Sequence, residues 1–193
     1  TLLRNGPGTF EVGQQRYRHW FDGLAMLHRF TIHAGKVSYG NKFLQSKSYS
    51  QAIENDRIMY SEFATDPCRS LFSRVMSIFH PQITDSAKVS LTVLSEHFIA
   101  LAETPIQVEF DPQTLESVGV FQWDKSTFGR MNTVHPHIDQ SANKAFNLVT
   151  RYGAVSTYSF REFAIDSTKL VGRDLATKRT IKPAYIHSFG KTE

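Results

Sequence analysis

Apolar residues recur at every second position in short runs, and turn residues break each run. Leu24, Met26, Phe30 and Ile32 fall on alternate positions, Ala34-Gly35 interrupts them, and Val37, Tyr39 and Phe43 resume the pattern. A strand sends successive side chains to opposite faces, so this period predicts a β-hairpin. A second hairpin joins Val89–Leu94 to Phe98–Ala102 across Ser95-Glu96-His97, and Ile106–Phe110 follows, ended by Asp111-Pro112. Ala145–Tyr152 and Val155–Phe163 form a third pair turned at Gly153, and Tyr185–Phe189 begins one more strand. At the start, Thr1-Leu2-Leu3 runs into a turn signal, Asn5-Gly6-Pro7-Gly8. Many short strands without strand–helix alternation mean an all-β sandwich, barrel or propeller. Four-stranded units of about 40–50 residues favour the propeller.

One stretch breaks the alternation. Asp66-Pro67 is a helix start, with Asp as cap and Pro at the first helical position. Leu71, Phe72, Val75, Met76 and Phe79 recur at helical spacing, Arg69 and Arg74 flank them, and His80-Pro81 ends the run. This predicts an amphipathic helix over 67–79. Its apolar face, with Phe72, Met76 and Phe79, suits either a lid over the core or a bilayer surface. Acylation of Cys68 would strengthen the second arrangement.

Composition narrows the function classes. Lys plus Arg number 22 against 18 Asp plus Glu, giving a net charge of +4, and the basic residues form no run. No nucleic-acid tract or polybasic membrane patch is indicated, so no nucleic-acid partner is expected. At 40% hydrophobic and 21% charged, the chain is too apolar for disorder. The single cysteine, Cys68, excludes an intrachain disulfide framework and a cysteine-cluster zinc site. The longest apolar run, Phe98–Ala102, falls far short of a membrane span. The expected location is the cytoplasm, with peripheral membrane contact at most. The 15 Phe and 7 Tyr suit a β-rich core, and they would equally line an apolar tunnel. With no initiator Met and an end just past a histidine motif, residues 1–193 read as part of one domain of a longer protein.

Three places carry candidate chemistry. In Thr133-Val134-His135-Pro136-His137-Ile138-Asp139, an extended backbone puts His135, His137 and Asp139 on one face. Two imidazoles and a carboxylate suit iron, zinc or copper, while a His-Pro turn with surface histidines explains the same residues without a metal. His187, in His187-Ser188-Phe189-Gly190, is by itself either a core histidine or a ligand. Glu103 follows the apolar run and is either a strand-end carboxylate facing water or the acceptor of a ligand histidine's second N–H. His28 lies among the alternating apolar residues of the first hairpin and reads as a core histidine.

Several motifs then fall in one order along nearly the whole chain. They are Leu2-Leu3-Arg4-Asn5-Gly6-Pro7-Gly8, the stretch from His19-Trp20-Phe21-Asp22-Gly23 to Phe30, Ser61-Glu62-Phe63, and Asp66-Pro67-Cys68-Arg69 with Phe72-Ser73-Arg74. Ala102-Glu103-Thr104, His135-Pro136-His137 and His187-Ser188-Phe189-Gly190 complete the set. Together they resemble the carotenoid cleavage oxygenase family, which also contains the vertebrate retinoid isomerase. The resemblance implies part of a seven-bladed β-propeller, fewer than half its blades, with a dome of loops and short helices. It implies one iron(II) on the propeller axis held by four histidines. His135 and His187 would be the first two, and the others would fall after Glu193. His137 would not be a ligand. Glu103 would hydrogen-bond a ligand histidine, here His187, and Phe63 would lie near a substrate tunnel.

The implied reaction is oxidative cleavage of a conjugated double bond in a carotenoid or apocarotenoid by O2, giving two carbonyl products. Retinoid isomerisation, stilbene cleavage and a non-catalytic lipid-binding propeller are the alternatives. Three positions depart from the family pattern: Ala102 where Thr is common, Ser86 in Thr84-Asp85-Ser86, and Lys191 after Gly190. None removes a ligand.

Overall fold

The computed structural model describes residues 1–65, 83–121, 131–165 and 170–192. In chain order its elements are β1 (Leu2–Thr9), β2 (Glu11–Val12), β3 (Gln15–Arg16), β4 (Leu24–His33), β5 (Lys36–Phe43) and α1 (Lys47–Asn55). There follow β6 (Ser90–Leu94), β7 (His97–Leu101), β8 (Gln107–Phe110), β9 (Ser117–Phe121) and β10 (Met131–Asn132). The last are β11 (His137–Asp139), β12 (Lys144–Arg151), β13 (Ser156–Ile165) and β14 (Leu170–Thr180).

These strands build three antiparallel sheets, ordered β1-β4-β5, β6-β7-β8-β9 and β10-β12-β13-β14, with β11 also on β12 and a small β2-β3 ribbon apart. Turn chemistry fixes the hairpins. Ala34 and Gly35 hold φ of 47° and 75°, and a two-residue turn of that hand matches the strand twist. Asp111 closes the β8–β9 turn by accepting from the Gln113 and Thr114 N–H groups at 2.8 and 2.7 Å.

The sheets stack face against face. Ala25 and Leu27 of the first sheet pack with Ala100, Val108 and Phe110 of the second. On the other side of the second sheet, Ile99 and Leu101 meet Ala145 and Phe163 of the third. Each sheet therefore buries its apolar face against the next sheet in sequence, which is the blade succession of a propeller. A third cluster, Val12, Tyr17, Leu24, Ala52 and Ile58, seats α1.

Several sequence expectations change here. The Asn5–Gly8 segment is strand, not turn, because β1 is an edge strand and its Pro7 withdraws no ladder donor from a partner on the open side. A Cβ at Gly8 would sit 2.5 Å from the Met26 Cβ, so close backbone approach is what selects that glycine. Tyr185–Phe189 is irregular, and the strand that completes the third sheet is β14, which the alternation did not mark. The inward face of β4 carries Ala25 and Leu27, so Ile32 and its neighbours Val37 and Tyr39 are more than half exposed. Both faces of β4 carry apolar residues, and period alone does not choose between them. His28 lies on that outer face rather than in the core, half-buried, with Nδ1 2.7 Å from the Tyr39 hydroxyl. Burial and the nearby Arg4 hold its pKa below the ordinary histidine value.

Helix α1 was not legible from periodicity; its ends make it. The Ser46 hydroxyl accepts from the Tyr49 N–H at 3.1 Å, and Asp56 closes the other end at φ 50°. The Asp85 carboxylate, distant in sequence, accepts from the Lys47 and Ser48 N–H groups at 2.7 and 2.8 Å. The helix expected over 67–79, with Cys68, Phe72, Met76 and Phe79, lies outside the described residues. Among the described residues, no helix is long and apolar enough to cross a membrane.

Candidate metal centre

Three segments converge, and His135 and His187 at their meeting point are exposed. Glu103 sits in the loop between β7 and β8, His135 between β10 and β11, and His187 in the irregular segment after β14. Neighbouring side chains hold each one in place. Gln107, 1% exposed, donates to the Ala102 and Thr104 carbonyls and accepts from the Ala102 N–H, which pins the Glu103 loop on both sides. Asn147, also 1% exposed, donates to the Thr133 carbonyl at 3.0 Å and accepts from its hydroxyl at 2.5 Å, fixing the approach to His135. The Ser90 hydroxyl donates to the Val134 carbonyl at 2.5 Å, and the Asn132 N–H to the Glu103 carbonyl at 3.2 Å. The Tyr158 hydroxyl accepts from the Ala184 N–H at 2.5 Å and donates to its carbonyl at 2.9 Å, which anchors the segment carrying His187.

The side chains then meet in one line. The His187 Nδ1–H donates to Glu103 Oε1 at 2.5 Å, and the Tyr185 hydroxyl donates to Glu103 Oε2. Both carboxylate oxygens are thereby occupied. With its proton on Nδ1, the His187 ring turns the lone pair of Nε2 outward. That nitrogen lies 3.0 Å from Nε2 of His135. Two imidazole nitrogens bound side by side on one ion, each at about 2.1 Å, stand about 3 Å apart. The donor pair and the carboxylate behind it therefore fit a divalent metal. Among the described residues, no cluster of three or more His, Cys, Asp or Glu gathers to hold a metal unaided.

The local triad does not form. His137 Nε2 donates to the Phe189 carbonyl at 2.9 Å, and Asp139 Oδ1 accepts from the Ser141 hydroxyl and the Ala142 N–H at 2.7 and 3.0 Å. Those bonds also hold the Asp139 carboxyl below its usual pKa. His135 precedes β11 rather than lying in it, so the expected i, i+2, i+4 face is broken at its first member.

Phe63 is 71% exposed and touches His19 and Phe21, with ring centroids 5.1 and 5.6 Å away. The Trp20 and Phe21 ring centroids lie 4.2 Å apart, with the planes tilted by 49°. Asp22, fully buried beneath them, accepts from the Thr65 hydroxyl at 2.6 Å and from the Ala64 N–H, tying both segments together. Sequence reasoning singled out Phe63 and passed over His19, Trp20 and Phe21. Their shared motif was visible, but nothing in it brings residue 63 alongside. Tyr185 and Tyr158 were missed for the same reason, since their partners are distant in sequence, and Gln107 because its bonds close a short loop that no local pattern marks.

Known proteins resemble this chain along its whole length. A family model described as retinal pigment epithelial membrane protein (RPE65) matches residues 1–193. Human beta,beta-carotene 15,15'-dioxygenase is 37% identical over 214 aligned positions, covering the whole chain and 39% of that relative. The mitochondrial carotenoid-cleaving dioxygenase of Mustela putorius furo is 38% identical and is covered over 38% of its length. The chain thus spans about two-fifths of the relatives it matches. Among solved structures, a mutant of the Synechocystis apocarotenoid oxygenase superposes with a TM-score of 0.77 at 22% identity, over 96% of this chain and 39% of that one. The cobalt-substituted form of the Synechocystis protein gives 0.75 at 23% identity, with the same coverage.

Proposed function

The chain belongs to the retinal pigment epithelial membrane protein (RPE65) family, and from that premise we propose that the full-length protein cleaves a conjugated double bond of a carotenoid or apocarotenoid with O2. The products are two aldehydes or ketones. The observation that carries this reading is the convergence of His135 and His187 nitrogens at 3.0 Å with Glu103 behind them. A ferrous ion held there would activate dioxygen, and its two oxygen atoms would end one on each carbonyl product with no net reductant consumed.

His135 and His187 would hold the ion as neutral imidazoles, leaving its charge undiminished. Glu103 fixes the His187 tautomer by taking its Nδ1–H, and Tyr185 keeps the carboxylate from rotating away. The His19, Trp20, Phe21 and Phe63 rings present the kind of wall a long apolar polyene packs against, excluding water from it. The substrate is membrane-soluble, so the reading includes a cytoplasmic protein that touches a membrane through Phe72, Met76 and Phe79.

The test uses the full-length protein. Iron per chain should be lost in His135→Ala and His187→Ala and kept in His137→Ala, with about tenfold weaker iron binding in Tyr185→Phe. Wild type supplied with O2 and a carotenoid should give two carbonyl products. Iron retained by His187→Ala but lost by His137→Ala would overturn the site, and a rearranged retinol as sole product would overturn the reaction.

A further inference from the structure

The third sheet carries a second polar constellation, remote in chemistry from the histidine pair. Arg151 of β12, Thr157 of β13 and Arg179 of β14 stand directly opposite one another in register. Opposed residues of neighbouring strands share a face, so both guanidinium groups rise on one side, with Thr157 between them. The two arginine Cα atoms are two strand spacings apart, about 9–10 Å. Two residues along, Ser159 and Thr177 form the next row of the same face. These five residues and Asp174 line a cleft of about 430 Å³.

The charge balance favours an anion. Asp174 is the single acid in the lining, and its Oδ1 lies 2.7 Å from Nε of buried Arg161. A bulge after Phe160 produces that pair: the register shift sets Asp174, rather than Leu175, opposite Arg161. With Asp174 matched to Arg161, the cleft keeps the two charges of Arg151 and Arg179. Both are exposed, while Ser159 is 3% exposed at the floor.

We propose that this cleft binds a phosphate group, carried on a soluble phosphomonoester or on an anionic lipid headgroup. Two planar forks approaching from opposite strands, with hydroxyl donors between them, offer more N–H and O–H groups than a carboxylate has oxygens to use. The cleft also leaves space for the group that bears the phosphate.

The experiment titrates the full-length protein with inorganic phosphate by calorimetry. In parallel it floats the protein with phosphatidylcholine vesicles, with and without phosphatidic acid. Saturable phosphate binding that weakens at least about tenfold in Arg151→Gln/Arg179→Gln supports a soluble ligand. Vesicle capture that requires both phosphatidic acid and the arginine pair supports the headgroup. The doubly conservative Arg151→Lys/Arg179→Lys variant keeps the surface charge and should bind at an intermediate level, which separates fork recognition from net charge. No binding in either assay, or binding undiminished in the glutamine variant at unchanged thermal stability, overturns the proposal.

Discussion

Glu62 shows how much one side chain can be asked to do. Its side chain is 5% exposed, it lies 2.6 Å from the ammonium of Lys88, and it accepts from the Thr84 hydroxyl at 2.8 Å. Burial pushes its carboxyl above the ordinary glutamate range despite the lysine. A carboxyl with a raised folded pKa contributes stability that is full below the unfolded value and lost as pH rises through the folded one. The melting temperature of wild type relative to Glu62→Gln should therefore fall as pH climbs from the normal carboxylate range through the raised pKa, then level off. A difference independent of pH would refute the assignment. At this scale the sequence named His135, His187 and Glu103 through motif resemblance. The residues that hold them, Gln107, Asn147, Tyr158 and Tyr185, stayed hidden because their hydrogen bonds span loops or separate strands.

Elements differ in where their information lies. The β4–β5 and β12–β13 hairpins were legible because alternation and turn residues agree. Helix α1 was not, since its stability comes from caps, one of them Asp85 from another segment. Replacing Asp85 by Ala leaves the Lys47 and Ser48 donors without their acceptor and should cost about 1–2 kcal/mol. Ser46→Ala should cost about 1 kcal/mol by the same reasoning. Paired denaturant titrations check both, and an Asp85→Ala variant as stable as wild type would mean water replaces the carboxylate fully. Strand β14 escaped notice for the opposite reason. Its Arg173, Asp174, Lys178 and Arg179 interrupt any apolar alternation, yet an outer strand with one exposed side accepts such residues readily.

On the scale of the molecule, contact between sheets rests on few large side chains. Phe163 is fully buried between the second and third sheets. Phe163→Ala should lower unfolding free energy by about 3–5 kcal/mol, read by denaturant titration, and should loosen the third sheet before the first. All-β architecture followed from alternation and the length of four-stranded units favoured a propeller, whereas the seven-bladed arrangement came only from family resemblance, because no period in a sequence says which sheet faces which. The strand order holds a consequence for how the chain is made. Among the described strands nearly every one pairs with a sequence neighbour, so these pairings can form before the next sheet has been synthesised. Assembly at the ribosome would then proceed one sheet at a time. Until His187 emerges, Glu103 and His135 would wait on nascent structure already formed.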